Sequence, residues 1–175
     1  MIRKAQYWDI PLVANIYEHI LDQDASGVGT TGWIRGVYPT EQTALEALEK
    51  GELFVLEENG HVVAAAKINR EQVPEYANCP WAYDAPAEQI MVLHTLVVDP
   101  SAAGKGYGRT FVQFYEEYAK KSGCRVLRMD TNAVNTPART LYGKLGYREA
   151  GIVTCVFNGI PDVHLVCLEK KLEEK

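Results

Sequence analysis

One long apolar run ends at an Asp-Pro pair and is followed at once by a cluster of glycines. Residues 89–98 are long and apolar enough for a buried strand. Proline cannot donate to a strand ladder, and the residue before it avoids the helical region, so this strand ends at Asp99-Pro100. Residues 109–121 have the spacing of an amphipathic helix. The predicted order is a strand, a turn and a helix, and glycine occupies every second position of the turn, at Gly104, Gly106 and Gly108.

The start of that helix is suited to binding an anion. The first turn of a helix has backbone N–H groups without partners, and the helix dipole places partial positive charge there. Glycines allow a ligand to approach the backbone closely, and Lys105 and Arg109 add cationic side chains. The sequence therefore predicts a phosphate or pyrophosphate site at this turn. A simple connecting turn is the alternative interpretation.

Two common phosphate-binding motifs do not match the turn. A Walker A loop would need glycine at Asp99 and serine or threonine at Gly106, and a Rossmann fingerprint would need glycine at Arg109 or Phe111. The turn instead resembles the coenzyme A pyrophosphate loop of the Gcn5-related N-acetyltransferases (GNAT family), whose pattern is Gln/Arg-x-x-Gly-x-Gly/Ala. The second half of that pattern matches Gly106-Tyr107-Gly108, whereas the Gln/Arg position falls on Ala103.

A second motif of the same family follows later in the chain. Asn135, Ala138 and Tyr142 match the pattern Asn-x-x-Ala-x-x-x-Tyr. The resemblance assigns Tyr142 as the general acid for the leaving thiolate, Asn135 as a polar contact of the coenzyme, and Ala138 as the small residue beside the pantetheine arm. From the residues alone, Tyr142 is equally a core aromatic at helical spacing, and Asn135 a loop or capping residue. The resemblance extends over roughly residues 2–170.

The resemblance also implies where acetyl-CoA would lie. In the family the pantetheine arm pairs with the backbone of the central strand, here Leu96, Val97 and Val98, and a main-chain group near Leu96 could polarise the thioester carbonyl. The pyrophosphate would lie against the turn, which comprises Ala103, Gly104, Lys105, Gly106, Tyr107, Gly108 and Arg109. Because the family's contacts at this turn come mainly from backbone N–H groups, we expect binding despite Ala103.

Direct attack of an amine on a thioester needs no covalent enzyme intermediate. The amine must lose a proton, the developing oxyanion must be stabilised, and the leaving thiolate must be protonated. His94 is one candidate base because its usual pKa is near neutral, and Glu88 is another because some family members carry an acid near the start of this strand. Removal of the proton by water, and a satisfied core histidine at position 94, are the alternatives.

Two long segments without regular periodicity are candidates for the acceptor side. Residues 22–39 are rich in glycine, and residues 71–88 are interrupted by prolines. Long loops of this kind are commonly functional, although a connector and a packed surface loop are the plain alternatives. The predicted acceptor-binding aromatics are Trp33, Tyr38, Trp81 and Tyr83. The expected acceptor is a small-molecule amine or a peptide amine.

The order of predicted elements favours a mixed α/β fold. Hairpins at both ends and helical crossovers in the middle predict one twisted mixed sheet of six to seven strands flanked by about four helices. We expect a single domain over residues 1–170 and a tail over residues 171–175. The resemblance adds that the sheet should splay between its fourth and fifth strands, with the coenzyme in the splay.

Composition excludes several classes of function. A net charge of −5 argues against a nucleic-acid partner. The cysteines and histidines are scattered without a Cys-x-x-Cys pair, so no metal site is expected. A signal-like start and a run of membrane-spanning length are missing, so we expect a cytoplasmic protein without a membrane partner. The resemblance favours a homodimer, and a non-catalytic acyl-CoA-binding or sensory domain is the alternative to an acetyltransferase.

Overall fold

Seven strands form one sheet in the computed structural model, which describes residues 1–173. The sheet order is β1-β2-β3-β4-β5-β7-β6, and all neighbours are antiparallel except β4 and β5. The predicted mixed sheet is thereby confirmed. The strands are β1 (Ile2–Lys4), β2 (Leu53–Glu58), β3 (His61–Asn69), β4 (Ile90–Val98), β5 (Val126–Asn132), β6 (Arg148–Phe157) and β7 (Ile160–Lys171).

Helices cover both faces of the sheet. Successive side chains of a strand point to opposite faces, and β2 shows this directly. Leu53 and Val55 pack with α1 and α2, whereas Phe54 and Leu56 pack with α3 and α4. Within residues 1–173, no helix combines the length and the apolar character that crossing a bilayer requires. The helices are α1 (Ile10–Ala25), α2 (Glu41–Glu49), α3 (Tyr107–Lys121) and α4 (Thr136–Lys144).

The two Asn-Gly pairs form the tight turns of the β2–β3 and β6–β7 hairpins. Asn59 and Gly60 have φ angles of 52° and 79°, and Asn158 and Gly159 have 52° and 78°. Positive φ at both central residues is what a type I′ hairpin turn requires, and asparagine and glycine tolerate it best. These local signals place the hairpins that flank the central strands.

The central parallel pair of strands is short. β4 and β5 pair only over Ile90–Leu93 and Val126–Met129, which is four residue pairs. Beyond these residues β4 stays paired with β3 up to Val98, and β5 stays paired with β7 up to Asn132. The two central strands therefore diverge, and the splay expected between the fourth and fifth strands is present.

A β-bulge lies where the splay begins. Ala65 pairs with Val97, but Lys67 pairs with His94, so β4 contains one more residue than β3 across this step. Thr95 is part of the bulge and has φ of 51°, which is a rare conformation for a β-branched residue. The bulge bends the central strand and turns its backbone toward the gap.

The last strand extends beyond residue 170. It begins at Ile160 and continues through Lys171, which pairs with Val126. Leu172 is buried, and its N–H donates to Arg125 O at 2.8 Å. An apolar side chain thus packs into the core two residues beyond residue 170, where the predicted domain ends. Of the predicted tail, residues 174 and 175 lie outside the described residues.

The hydroxyl of Tyr115 supports the short parallel pairing. Tyr115 lies on α3, is completely buried, and places its hydroxyl 2.6 Å from Met91 O on β4 and 3.1 Å from Arg128 O on β5. A single group thus bridges the two strands beside the point where they separate.

Replacing Tyr115 by phenylalanine should lower the free energy of unfolding by roughly 1–2 kcal/mol, because buried carbonyl oxygens lose a hydrogen-bond donor. Urea titration would measure the change. Tyr118→Phe is the matched control: this tyrosine lies one turn further along α3, and its hydroxyl has no hydrogen-bond partner among residues 1–173. Equal losses for the two variants would contradict the bridging role of Tyr115.

Candidate active site

The gap between β4 and β5 opens into a cavity of about 150 Å³, which we call the cleft cavity. The diverging end of β4 contributes its backbone and side chains from Thr95 to Val98. The end of β5 contributes Asp130, and α4 contributes its first two turns. The predicted site residues on its wall are Leu96, Val97, Val98, Asn135, Ala138, Tyr142, Trp33 and Tyr38.

A second cavity of about 300 Å³ adjoins the cleft cavity. Its wall comes from α2, from β3 and from the segment after β3, and it includes Lys67, Glu71 and His94. The residues common to the walls of both cavities are Tyr38, Thr95, Asp130, Phe157 and Asn158. A molecule in one cavity would therefore lie next to a molecule in the other at the bulge of β4.

Tyr142 presents an unused hydroxyl to the cleft cavity. The side chain is 7% exposed, and its hydroxyl finds no hydrogen-bond partner within residues 1–173. Burial, and then the charge of Asp130, raise the pKa of the phenol well above its usual value. Tyr142 therefore stays protonated and can donate a proton or a hydrogen bond.

Asn135 begins α4. Its side-chain oxygen accepts from Ala138 N at 3.3 Å, so it has the role of an N-cap. Of the two interpretations of this residue, the capping role is therefore present in the structure. Contact with a coenzyme stays a prediction, for which its place on the cavity wall is suitable.

Asp130 is the titratable group at the junction of the two cavities. It lies on β5, one residue beyond the last pairing with β4, and accepts a hydrogen bond from the Tyr76 hydroxyl at 2.6 Å. Burial raises its pKa to about 6, Tyr76 opposes the rise, and nearby Glu75 adds to it. A carboxyl with this pKa can accept a proton near neutral pH.

Tyr38 closes the junction from the side of the loop before α2. Its hydroxyl is hydrogen-bonded to Thr95 Oγ1, and its ring meets Trp33 edge-on with the ring centroids 5.9 Å apart. Burial raises the pKa of Tyr38 to about 12. The structure thus brings two of the four predicted acceptor-binding aromatics to the site.

His94 lies on the wall of the second cavity and is held by a polar chain. His94 Nε2 is 2.7 Å from Asn69 Oδ1, and Asn69 Nδ2 donates to Glu52 Oε2 at 3.0 Å. Burial, and then the charge of Lys67, lower the pKa of His94 to about 4. The imidazole is therefore neutral at pH 7 and is a weaker base than Asp130.

The predicted base Glu88 does not reach either cavity. It is exposed in a short 3₁₀ turn (Ala87–Gln89) before β4, at the paired end of the strand. Its carbonyl oxygen accepts from Arg70 Nε at 3.1 Å. The structure does not bring Glu88 to the splay, which opens at the opposite end of β4, so its assignment as a base stays a prediction without support from the geometry.

Trp81 and Tyr83 are also remote from both cavities. The guanidinium of Arg128 lies 4.2 Å from the ring centroid of Trp81, and Tyr83 N donates to Glu169 Oε1 at 2.7 Å. Arg128 and Glu169 are buried charges on β5 and β7, which need such partners. These contacts fasten residues 71–88 to the sheet, and neither Trp81 nor Tyr83 lines either cavity, so their acceptor-binding role stays a prediction without support from the geometry.

The glycine turn has the geometry of an anion site. Gly104 and Gly106 have φ angles of 77° and 80°, and a Cβ atom at either would meet open space. Among residues 1–173, no acceptor bonds to the backbone N–H groups of residues 104–109. Donors without partners at a helix start suit a phosphate ligand. The other predicted members of the site, Ala103, Lys105, Tyr107 and Arg109, lie on the same exposed turn.

Gly108 has a different role from its neighbours. It lies in the first turn of α3, and a Cβ atom there would be 3.2 Å from Leu141 Cδ2 on α4. The absence of a side chain at this position lets α3 and α4 approach each other.

Sequence reasoning missed Thr95, Asp130, Lys67 and Tyr17, which all lie on the cavity walls. Asp130 and Lys67 carried a signal, because each is a charge at the end of an apolar strand run. Thr95 carried none, since a β-branched residue gives no indication of positive φ. The part of the chain from residue 1 to 173 contains no group of three or more residues suited to hold a metal ion.

Comparison with known sequences relates this chain to acetyltransferases. A family model described as the acetyltransferase (GNAT) family matches residues 16–147. An uncharacterized N-acetyltransferase of Methanocaldococcus jannaschii is 29% identical over 100 residues, which are 57% of this chain and 40% of that protein. The chain therefore spans less than half the length of this relative.

Two solved structures have the same fold. A GNAT-family acetyltransferase from Streptococcus agalactiae superposes with a TM-score of 0.82 at 21% identity, covering 100% of this chain and 96% of that chain. The Salmonella typhimurium protein yncA, solved with its cofactor acetyl-CoA, gives a TM-score of 0.70 at 19% identity over 100% of this chain and 95% of that chain. At these identities the likeness concerns the fold alone.

The raised pKa of Asp130 gives a testable cost in stability. The pKa of this carboxyl is about 6 in the folded protein and 3.8 in its ordinary state. Its ionisation therefore lowers the free energy of unfolding fully above pH 6 and not at all below pH 4. Asp130→Asn, which still accepts from Tyr76, should therefore be more stable than the wild type at pH 8. We expect a gain of about 1–2 kcal/mol, less than the full pKa difference gives because the carboxyl is partly exposed to the cavities.

Thermal or urea unfolding at pH 4 and pH 8 would measure this gain. Asp162→Asn is the control, since Asp162 is exposed and its positive φ of 56° suits asparagine. A gain that is the same at both pH values, or a loss at pH 8, would contradict the raised pKa of Asp130.

Proposed function

Because this chain belongs to the GNAT family of acetyltransferases, we propose that it moves the acetyl group of acetyl-CoA to a primary amine by direct attack in a ternary complex. The observation that carries the proposal is the pair of adjoining cavities at the splay, whose walls share Thr95 and Asp130. Two reactants can thus be held at once, so no covalent enzyme intermediate is needed. The acceptor would be a small-molecule or peptide amine.

The coenzyme side would be the glycine turn and the cleft cavity. The free N–H groups of residues 104–109 would receive the pyrophosphate, with Lys105 and Arg109 beside them. The backbone of residues 96–98 would pair with the pantetheine arm, next to the small side chain of Ala138. Bound acetyl-CoA supplies the activated acyl group. The acetyl-CoA found in the yncA structure supports this assignment at the level of the fold.

Asp130 is the base that the geometry favours. It lies where the two cavities meet, and its pKa of about 6 is close to the pH at which a base must work. His94 lines only the acceptor side, and its pKa of about 4 makes it less able to hold a proton. We therefore assign proton removal to Asp130. His94 would remain a neutral residue on the wall of the second cavity.

Tyr142 and the bulge of β4 would serve the other two steps. A backbone N–H near Leu96 would stabilise the negative charge that develops on the carbonyl oxygen. Tyr142 would give its proton to the departing thiolate as the C–S bond breaks and the C–N bond forms. The tyrosine regains a proton when the new amide nitrogen loses one. The net reaction converts a neutral amine and a thioester into an amide and a thiol.

Placing a negative charge on the glycine turn should weaken acetyl-CoA binding. Gly106→Asp puts a carboxylate beside the expected pyrophosphate, whereas Gly106→Asn has the same size without the charge. Aspartate and asparagine both tolerate the positive φ found at this position. We expect the aspartate variant to bind acetyl-CoA about tenfold or more weakly than the asparagine variant, by calorimetry.

A second pair of variants tests whether the effect is local. Gly123 also has positive φ and open space, but it lies at the opposite end of α3. Gly123→Asp and Gly123→Asn should therefore bind acetyl-CoA equally well. Equal binding by the two Gly106 variants would place the coenzyme elsewhere, and no binding by the wild type would overturn the assignment of acetyl-CoA.

The dependence of kcat on pH should separate the proposed base from the proposed acid. In the wild type we expect kcat to rise with an apparent pKa near 6, because Asp130 must be ionised. Asp130→Asn should abolish this rise of kcat near pH 6. Tyr142→Phe should lower kcat by about 10²-fold or more and leave the rise in place, since the phenol stays protonated throughout this range.

His94→Gln is the control for the base. If His94 were the base, the rise would lie near pH 4 and would vanish in this variant while persisting in Asp130→Asn. A limb at higher pH that follows the pKa of the amine itself should be common to all variants. Tight binding of acetyl-CoA with no thiol release from any amine would favour a non-catalytic acyl-CoA-binding domain instead.

A further inference from the structure

The second cavity contains a lysine whose ammonium group is not hydrogen-bonded. Lys67 Nζ lies 3.8 Å from Glu52 Oε2 and 3.7 Å from Glu71 Oε2, and both distances exceed those of a hydrogen bond. These two carboxylates are ion-pair partners of Lys67, and the side chain is 25% exposed. Because neither contact is a hydrogen bond, the three N–H bonds of the ammonium group can still donate to an anionic oxygen.

A buried phenol on the same cavity wall is also without a partner. Tyr17 is 3% exposed, and its hydroxyl makes no hydrogen bond within residues 1–173. Burial, and then the nearby Tyr38, raise the pKa of Tyr17 well above its usual value, so the hydroxyl remains a donor. Tyr17 and Lys67 thus offer two kinds of donor to one space.

The inner wall of this cavity also carries the carboxylate of Asp130. Its Oδ2 accepts from the Tyr76 hydroxyl, whereas its Oδ1 has no hydrogen-bond partner within residues 1–173. The titratable groups on the wall of the second cavity are Tyr17, Tyr38, Glu46, Lys50, Lys67, Glu71, His94 and Asp130. Of these, Glu46, Lys50 and Glu71 are exposed. The inner wall therefore offers hydrogen-bond donors at Lys67 and Tyr17 and a carboxylate acceptor at Asp130.

Lys67 lies close in the sheet to the bulge of β4, where the reaction is proposed to take place. Lys67 pairs with His94 across the β3–β4 ladder, and His94 directly precedes Thr95 in the bulge. A compound that reached from Lys67 to Asp130 would place one end at a cation and the other end at the proposed base. An ammonium group complements Asp130, and a carboxylate complements Lys67.

We propose that the acceptor is an amino-acid-like compound, whose carboxylate is held by Lys67 and Tyr17 while its amine faces Asp130. This inference rests on the proposed function, because it names the substrate class of the same site. The ammonium proton passes to Asp130 as before, and the carboxylate takes no part in bond making.

The test compares compounds that differ only in the carboxylate. The probes are the L-α-amino acids, β-alanine and 4-aminobutyrate, each beside its carboxamide and its decarboxylated amine, with thiol release as the readout. We expect at least one acid to exceed its own amide by tenfold or more in kcat/KM. Lys67→Met should bring that ratio close to one, Lys67→Arg should keep part of it, and Tyr17→Phe should lower it severalfold.

Lys171→Met is the matched control. Lys171 is exposed at the end of β7, so its loss changes net charge equally without touching the cavity. This control should keep the ratio of the wild type, and all variants should keep its affinity for acetyl-CoA, which shows that they are folded. Amides or decarboxylated amines that react as well as the acids, or a ratio that survives in Lys67→Met, would overturn the inference.

Binding to the protein saturated with coenzyme A separates this inference from the proposed function. If no compound releases thiol, calorimetry of the same acids and amides still reports on the cavity. Acid binding that disappears in Lys67→Met would retain the carboxylate site and overturn the acetyl transfer. Acetyl transfer to amines without any preference for acids would retain the enzyme and overturn the carboxylate site.

Discussion

The early end of the pairing between β4 and β5 is the constraint on which the rest of the structure depends. Four residue pairs hold the two strands together, and beyond them each strand is supported only by its outer neighbour. A continuous sheet would have no gap for a ligand. Because the outer neighbours keep both strands extended, their facing edges form the two sides of a cleft. The bulge of β4, the end of β5 and the start of α4 all converge on that cleft.

The residues at the mouth of the splay are not those that a stable core would select. Thr95 adopts a positive φ that disfavours a β-branched side chain, and Asp130 keeps a carboxyl where burial opposes its charge. Tyr38 and Tyr76 each donate or share a hydrogen bond with one of them. Backbone strain and a buried carboxyl thus occur together at one point, and two separate loops support them. Such a concentration of destabilising features is typical of a functional site.

The sequence predicted the elements better than it predicted the contacts between distant residues. The Asn-Gly turns, the apolar central strand and the glycine turn are local patterns, and the structure contains each of them. Spacing along a strand does not tell which end opens, so the sequence did not show that Glu88 lies away from the splay. It also did not show that Trp81 and Tyr83 contact Arg128 and Glu169, because these partners lie more than forty residues away in sequence. Thr95 could not be found, since its φ contradicts its own preference.

The anchoring of residues 71–88 has a consequence for how such a chain can change over evolution. This segment touches the acceptor side through Glu71 and Val73, but it is fastened to the sheet through Arg128 and Glu169, apart from the glycine turn. Changes between those fixed points therefore leave the glycine turn in place. In the proposed reaction the acceptor could thus change through this segment while the acyl donor stays the same.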